Sequence, residues 1–494
     1  MTASVVSRAA GLGALSAAGQ LIIIGSLPTY SRLFDPGTYG EYLIFVGAAA
    51  VVSVFAGVRY DSAIVLPRND RIAGMLTAVV MAIALLVATL IAGATLVSGS
   101  IAWAPARWLA GEQEIGYGLA AATVIGAAQR CLSSWCIRGG HFLSMGFGLF
   151  VFCLITVVAQ LTLVHMTGQL AALVWGYVCA LALQTVCLAA AIRRDHGGGL
   201  IPRVTGRGMK IAAYKYRRFP TYMVGYALAS SVRDRLIQIM LGIGAGAAVV
   251  GRFGLAYRVS FAPNSLIYSA VSPIFFSIAS RGTRSSVGRF AASLVEATVV
   301  ALAVPYAAFA LEAPALTDGL LADKWHGTGP FFQALAGPAL LLAATCWLDR
   351  AFDCFRRQRV AFCLEAAFTL VSVGLVAFLS REVDAIYIAW IYGTVAVVYY
   401  WTYFLVTFVA CEFPLADFRR ACLTGALAII AAVGLGGVVH QMPSVSARFA
   451  AYLLLMALVI VAWMRLRGGA DTIRLLMRSR VGMQEAEGLA NAQL

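Results

Sequence analysis

The sequence predicts an all-α, polytopic membrane protein of about fourteen transmembrane helices. Three observations carry that reading. Of 494 residues, 61% are hydrophobic and only 12% charged, against about a quarter charged in a soluble domain. The mean hydropathy of +0.85 means more apolar side chain than one or two cores can bury. The apolar residues also fall in runs of about 20, the length that crosses a bilayer as a helix, separated by short polar breaks.

In chain order the runs lie near 9–30, 41–58, 73–96, 115–136, 144–166 and 170–192, then 220–243, 249–278, 290–312, 333–349, 361–380, 385–410, 421–440 and 449–464. The first follows Arg8 and contains small residues, as a signal peptide does, but it is long enough to span, and retaining it makes the charge pattern consistent. Lys and Arg set orientation, because short loops rich in them stay cytoplasmic. They gather in alternate loops: Arg59, Arg68 and Arg71; Arg193 through Arg218; Arg281, Arg284 and Arg289; Arg350 through Arg359. The opposite loops hold only Arg32, Arg107, Arg252, Lys324, Arg381 and Arg448. Both ends are therefore expected in the cytoplasm, and the net charge of +15 reads as topogenic, with no nucleic-acid partner. None of the ten cysteines falls in an outer loop, and none is spaced with another or with His to hold a metal. No cofactor is expected.

The longest inner loop, with Gly197-Gly198-Gly199 and a block of basic residues, reads as a flexible connector. It divides the chain into an N-lobe at 1–192, a connector at 193–219 and a C-lobe at 220–411. Two further helices at 412–466 and a cytoplasmic tail at 467–494 follow. A short echo supports two lobes: Tyr39-Gly40-Glu41-Tyr42 opens the second span and Val250-Gly251-Arg252-Phe253 the eighth. Two six-helix lobes in one orientation are a known transporter plan, with the substrate between them. In the tail, Ile473, Leu476 and Met477 set against Arg474, Arg478 and Arg480 suggest a basic amphipathic helix on the inner leaflet.

In the segment from Leu27 to Tyr42, Asp35 can cap a helix and Pro36 can occupy its first position, making a tight turn between spans one and two. After span two comes Arg59-Tyr60-Asp61-Ser62-Ala63-Ile64-Val65-Leu66-Pro67-Arg68-Asn69-Asp70. Together these segments resemble the signature of the bacterial polysaccharide exporters, the Wzx-like oligosaccharide flippases of the multidrug/oligosaccharidyl-lipid/polysaccharide (MOP) superfamily. The motif-level match covers about residues 27–75, with Asp61 where relatives often carry Glu and Arg68 where many carry Lys. The resemblance implies a MATE-like pair of lobes, a location in the bacterial inner membrane, a monomer and no enzymatic activity. It also implies translocation of an undecaprenyl-pyrophosphate-linked oligosaccharide, coupled to an ion, beside polymerase and chain-length proteins of the same pathway.

Such a substrate offers a pyrophosphate, a hydroxyl-rich glycan and a polyprenyl tail that can stay in lipid, so its site needs buried cations beside aromatic and hydroxyl side chains. Arginines in the spans are costly unless they face a cavity or a partner. Arg130, Arg233, Arg235 and Arg258 are the candidates within spans, and Arg32 and Arg59 lie at opposite ends of spans one and two. In span seven Tyr222, Tyr226, Ser230, Asp234 and Gln238 recur every fourth residue as one polar stripe, with Asp234 the candidate for ion coupling. The competing readings there are an internal salt bridge for Asp234 and membrane snorkelling for Arg130. Span eight carries Ser265, Ser269 and Ser272 at helical spacing, with Pro263 and Pro273 expected to bend it. Asp349, Asp353 and Glu365 are read as solvated loop-end pairs with nearby arginines.

Two other transport functions share much of this pattern. A peptidoglycan lipid-precursor flippase also needs intramembrane cations, whereas a MATE-type drug or cation antiporter favours carboxylates. A membrane glycosyltransferase would need catalytic groups in a sizeable outer loop, and the longest expected here runs only about 311–332.

Overall fold

The computed structural model describes residues 2–67, 69–98, 113–195, 205–217, 237–238, 241–242, 244–279, 282–379 and 383–466. Among them every regular element is helical. Among the described residues ten helices are long and apolar enough to cross a membrane, and every span expected outside 220–243 coincides with a helix. Of the three such spans not among those ten, 9–30 is divided between two helices; the other two, 115–136 and 249–278, lie in the helices Gln113–Gly139 and Ala247–Ala279. Both carry polar side chains along their length, Gln129, Arg130, Ser133 and Ser134 in one and Arg252, Arg258 and Asn264 in the other. Polar content of that kind lowers hydropathy in a helix built to face protein.

The chain forms two compact units, one of Ala3–Gly254 with Val376–Arg381, the other of Leu255–Leu375 with Glu382–Leu494. In the first unit the first span divides at Ser26 into α1 (Thr2–Gly25) and α2 (Leu27–Leu33), with Pro28 in the first turn of α2. Next come α3 (Pro36–Gly57), the single turn α4 (Tyr60–Ala63), α5 (Asp70–Ser98), α6 (Gln113–Gly139), α7 (Phe142–Leu163) and α8 (Gln169–Asp195). The Asp35 carbonyl accepts the Tyr39 amide at 2.9 Å, so Asp35 and Pro36 open α3 as the sequence suggests. The aromatic residues of the first motif are structural: Tyr30, Phe34, Tyr39 and Tyr42 are all buried, and the Tyr30 hydroxyl donates to Gln160 Oε1 at 2.5 Å.

The connector is not uniformly flexible, because a helix, α9 (Gly206–Lys215), forms within it and packs on α5. The two copies of the echo meet within this unit. A Cβ on Gly40 would stand 1.8 Å from the Ala247 carbonyl oxygen, and one on Gly251 would stand 2.0 Å from the Pro36 carbonyl oxygen. Only glycine lets α3 approach the start of α10 (Ala247–Ala279) so closely.

The second unit continues along α10 and through α11 (Arg284–Leu320), α12 (Gly329–Thr345), α13 (Asp349–Cys354), α14 (Gln358–Leu379), α15 (Ala385–Ala410), α16 (Leu415–His440) and α17 (Val445–Leu466). Helix α11 runs on through Pro305 and Pro314, so the loop expected at 311–332 shrinks to 321–328, with Trp325 buried in a 3-10 turn. The sequence singled out Asp234 as the one mid-span carboxylate, yet Glu296 sits inside α11 at 1% exposure. It accepts the Trp463 indole N–H at 2.7 Å and lies 3.6 Å from Arg420. Further along α11, Glu312 pairs with Arg448 at 2.6 Å and His440 at 2.9 Å. Two carboxylates of α11 thus hold α16 and α17.

Replacing a buried acceptor strands its donor, at a cost of about 1–3 kcal/mol. Glu296→Ala is therefore expected to lower the melting temperature of the detergent-purified chain by several degrees. Trp463→Phe should give a smaller drop, and the double variant less than the sum, since the two residues share one bond. Additive shifts would show that Glu296 and Trp463 act independently.

Candidate functional site

A polar cavity in the first unit has a volume of about 310 Å³ and opens among α3, α4, α6 and α8. Its polar lining is Ser53, Arg59, Asp61, Gln129, Arg130 and Tyr177, with small residues such as Ala49, Ala122 and Gly126 between them. That size lies at the low end of the about 300–1,000 Å³ of small-molecule sites, enough for the head of a large substrate.

Local backbone geometry brings the charges together. Helix α3 ends in two consecutive left-handed residues, Val58 at φ 43° and Arg59 at φ 57°. A β-branched residue there is strained, and such strain concentrates at functional sites. The turn reverses the chain into α4 and sets Asp61 facing α6, where Arg130 Nε lies 3.7 Å from Asp61 Oδ2. Arg130 Nη2 donates to the Ser53 carbonyl at 2.8 Å, tying α6 to the last turns of α3. Gly57 makes room for the carboxylate, since a Cβ there would stand 3.3 Å from Asp61 Oδ1.

A second arginine of α6 holds the far end of the same segment. Arg138 Nη2 and Nε donate to Asp70 Oδ1 at 2.7 and 3.0 Å, and Nη1 donates to the Pro67 carbonyl. The motif from Arg59 to Asp70 is thereby fastened to one helix at both ends.

The site is left with unmet valences. Arg59 Nε and Asp61 Oδ1 are both buried and neither has a hydrogen-bond partner. Two guanidinium groups face one carboxylate, a local excess of positive charge in a site walled by Tyr177, which packs edge-on against Phe45 and Phe152 at 5.8 and 5.6 Å. Chemically, the cavity can accept an anion at Arg59 and Arg130 and a hydroxyl at Asp61.

The structure brings together Arg59 and Arg130 of the residues singled out from sequence. Arg130 turns inward to Asp61 rather than snorkelling. Arg32 is exposed on the last turn of α2 and does not line this cavity. Arg258 is half-buried on α10 in the second unit. Gln238 is 3% exposed, and its Oε1 has no partner. Tyr222, Tyr226, Ser230, Arg233, Asp234 and Arg235 lie outside the described residues.

Sequence alone does not single out Asp61, Ser53, Gln129 or Tyr177 as site residues. The available signal for Asp61 was its position two residues after Arg59 in a polar break between apolar runs. Tyr177 and Gln129 had none beyond polarity within a span. Glu365 also departs from expectation: it accepts the Tyr399 hydroxyl at 2.5 Å on α15, while Asp349 accepts the Tyr268 hydroxyl at 3.1 Å and Tyr268 accepts from Arg350.

The second unit contains another cavity of about 310 Å³, between α11 and α17. Its lining is almost wholly apolar, and its charged members Glu312 and Arg448 are paired with each other.

The sequence profile of the polysaccharide biosynthesis protein family matches residues 30–330, which includes the whole cavity. The chain belongs to that family. No curated protein matches the sequence. Among solved structures, the fold is similar to the lipid II flippase MurJ in an inward closed conformation. The TM-score is 0.66 at 10% identity, over 92% of this chain and 99% of that one. A MOP superfamily transporter from Pyrococcus furiosus, described as having a binding pocket of reversed polarity, gives a TM-score of 0.52 at 13% identity, over 85% of this chain and 96% of that one. A multidrug resistance MATE family transporter in an outward-facing conformation gives 0.51 at 13% identity, with the same coverage. This member of the polysaccharide biosynthesis protein family is thus a multi-pass membrane protein with the MOP fold, and its relatives are flippases and transporters rather than enzymes.

Proposed function

We propose that this protein is a flippase that carries a polyprenyl-pyrophosphate-linked oligosaccharide from the inner to the outer face of the bacterial cytoplasmic membrane for surface polysaccharide synthesis. The observation that carries the reading is the cavity with Arg59 and Arg130 against a single carboxylate and with an unpartnered donor at Arg59 Nε. The pyrophosphate engages the guanidiniums, a sugar hydroxyl donates to Asp61, and the polyprenyl chain stays in lipid. The cavity opens alternately to the two faces. Both chain ends are cytoplasmic in this reading, as the Lys and Arg distribution suggests. Asp234 is the proposed coupling carboxylate, and the pathway's polymerase is the proposed neighbour of a monomeric flippase. A lipid-linked peptidoglycan precursor presents the same pyrophosphate; the family match favours the polysaccharide cargo.

Binding by the purified full chain tests the site. Polyprenyl pyrophosphate should bind more tightly than the corresponding polyprenol. Arg59→Gln should weaken the pyrophosphate about tenfold, the equivalent of about 1.4 kcal/mol, and leave the polyprenol unchanged. Equal affinity for the two lipids in the wild-type protein would overturn the assignment.

A further inference from the structure

Helix α9 presents a surface that nothing in the described chain covers. Its Thr205 N-cap hydroxyl accepts the Gly208 amide at 3.3 Å, and its inner side is made of small residues. Ala212 is 3% exposed, and a Cβ on Gly208 would stand 2.6 Å from Met75 of α5. On the other side Ile211 is 62% and Tyr214 68% exposed, beside exposed Arg207, Lys210 and Lys215. At about 100° per residue these five side chains share an arc of about 140°. The segment 205–217 contains no Asp or Glu, and Arg217, just beyond the helix, lies over the Tyr214 ring at 4.4 Å.

Its position in the unit says what the surface meets. Helix α5 has 29 residues, about nine more than a bilayer core requires, and α9 packs on its first turns, near Met75. The last turn of α8, with Arg193 and Arg194, and the end of α6, with Arg138, carry the cations of neighbouring helix ends. An apolar pair flanked by cations at that level suits the boundary between headgroups and acyl chains. Solvated helix faces do not usually leave an isoleucine and a tyrosine so exposed.

We propose that α9 is an interfacial helix that docks on anionic phospholipid headgroups, with Ile211 and Tyr214 entering the acyl boundary and Arg207, Lys210 and Lys215 meeting phosphates. The docked helix is stapled to the candidate site, because the Tyr60 hydroxyl, between Arg59 and Asp61, donates to the Ala213 carbonyl at 3.1 Å. Lipid bound at α9 therefore bears on the segment that carries both charged residues. The proposal rests on the exposed face of α9 and stands whether or not the cargo reading holds.

Hydrogen exchange on the full chain in lipid nanodiscs tests it. Amides of 206–215 should exchange several-fold more slowly when a third of the phosphatidylcholine is replaced by phosphatidylglycerol. High salt should remove the difference, because screening weakens surface electrostatics. The triple variant R207Q/K210Q/K215Q should show no slowing while α5 and α6 exchange as in the wild-type protein. Equal rates in the two lipids, or a full response in the triple variant, would overturn the proposal. So would the same slowing produced by soluble pyrophosphate in phosphatidylcholine discs, since the face would then be a site for free anions.

Discussion

Arg130→Ala is expected to reduce export of surface polysaccharide by at least an order of magnitude and to destabilise the protein at the same time. The side chain supplies one of the two cations of the cavity, the partner of Asp61 at 3.7 Å and the donor to the Ser53 carbonyl. Asp61 is 6% exposed and already has one oxygen without a partner, so removing Arg130 takes away its ion pair at 3.7 Å and leaves a buried carboxylate with only Arg59 of the two cavity cations. Breaking a wholly buried pair costs about 3–5 kcal/mol. Arg130 keeps 27% of its side chain exposed, which brings the expected loss down to about 1–3 kcal/mol after solvent screening.

The two effects separate in the double variant Arg130→Ala/Asp61→Asn. A neutral Asn at 61 no longer needs a cation, so thermal stability should return toward that of the wild-type protein while export stays low. If the double variant recovers both, Arg130 serves only to neutralise Asp61 and has no role toward an anionic substrate. Arg130→Lys should keep part of the transport, because it preserves the charge but not the forked donor geometry.

Gly251→Val is expected to prevent accumulation of folded protein, and Gly40→Ala to lower stability by more than the about 1–3 kcal/mol typical of overpacking. At most tight contacts a neighbouring side chain can rotate away. Here the obstructing atoms are main-chain carbonyls of Pro36 and Ala247, both within 2.0 Å of the added Cβ. The helix ends themselves must separate, which also disturbs packing at Tyr39 and Phe253, each 1% exposed. Gly37→Ala is the control, since a Cβ at Gly37 meets nothing within 4 Å. Quantifying monodisperse protein by fluorescence-detected chromatography reads the outcome. Normal levels of the Gly251→Val protein would show that α3 and α10 can part without loss of the fold.

Much of the fold was legible from apolar runs alone because a bilayer imposes a length on every spanning helix, and length is a property of sequence. Expected and observed helices differ mainly at their ends. The run expected at 290–312 continues as α11 to Leu320 through Pro314, beyond the part that hydropathy detects. In that extension Ala313 and Thr317 are buried while Leu320 is exposed, so contacts along one face, not apolar length, sustain the helix.

The site was legible only in fragments. Arg59 and Arg130 could be nominated from the cost of placing a cation in lipid, but that cost applies equally to Arg32, which is exposed. Which arginines face a cavity depends on rotation of each helix about its axis, and packing sets that rotation. Asp61 could not be recognised as their partner because its approach to Arg130 follows from two left-handed residues at the end of α3, a conformation that neither Val58 nor Arg59 favours.

By itself the sequence determined the class of the molecule, the approximate extent of each described span and the asymmetry of its basic loops. These depend on composition and on position along one dimension. The tertiary structure alone decided that α9 carries an exposed basic and apolar face, that the two glycine echoes touch, and that Arg59, Asp61 and Arg130 meet in one cavity. Each depends on atoms brought from distant points of the chain to within a few ångströms, where sterics and unmet hydrogen bonds, rather than residue type, set the outcome.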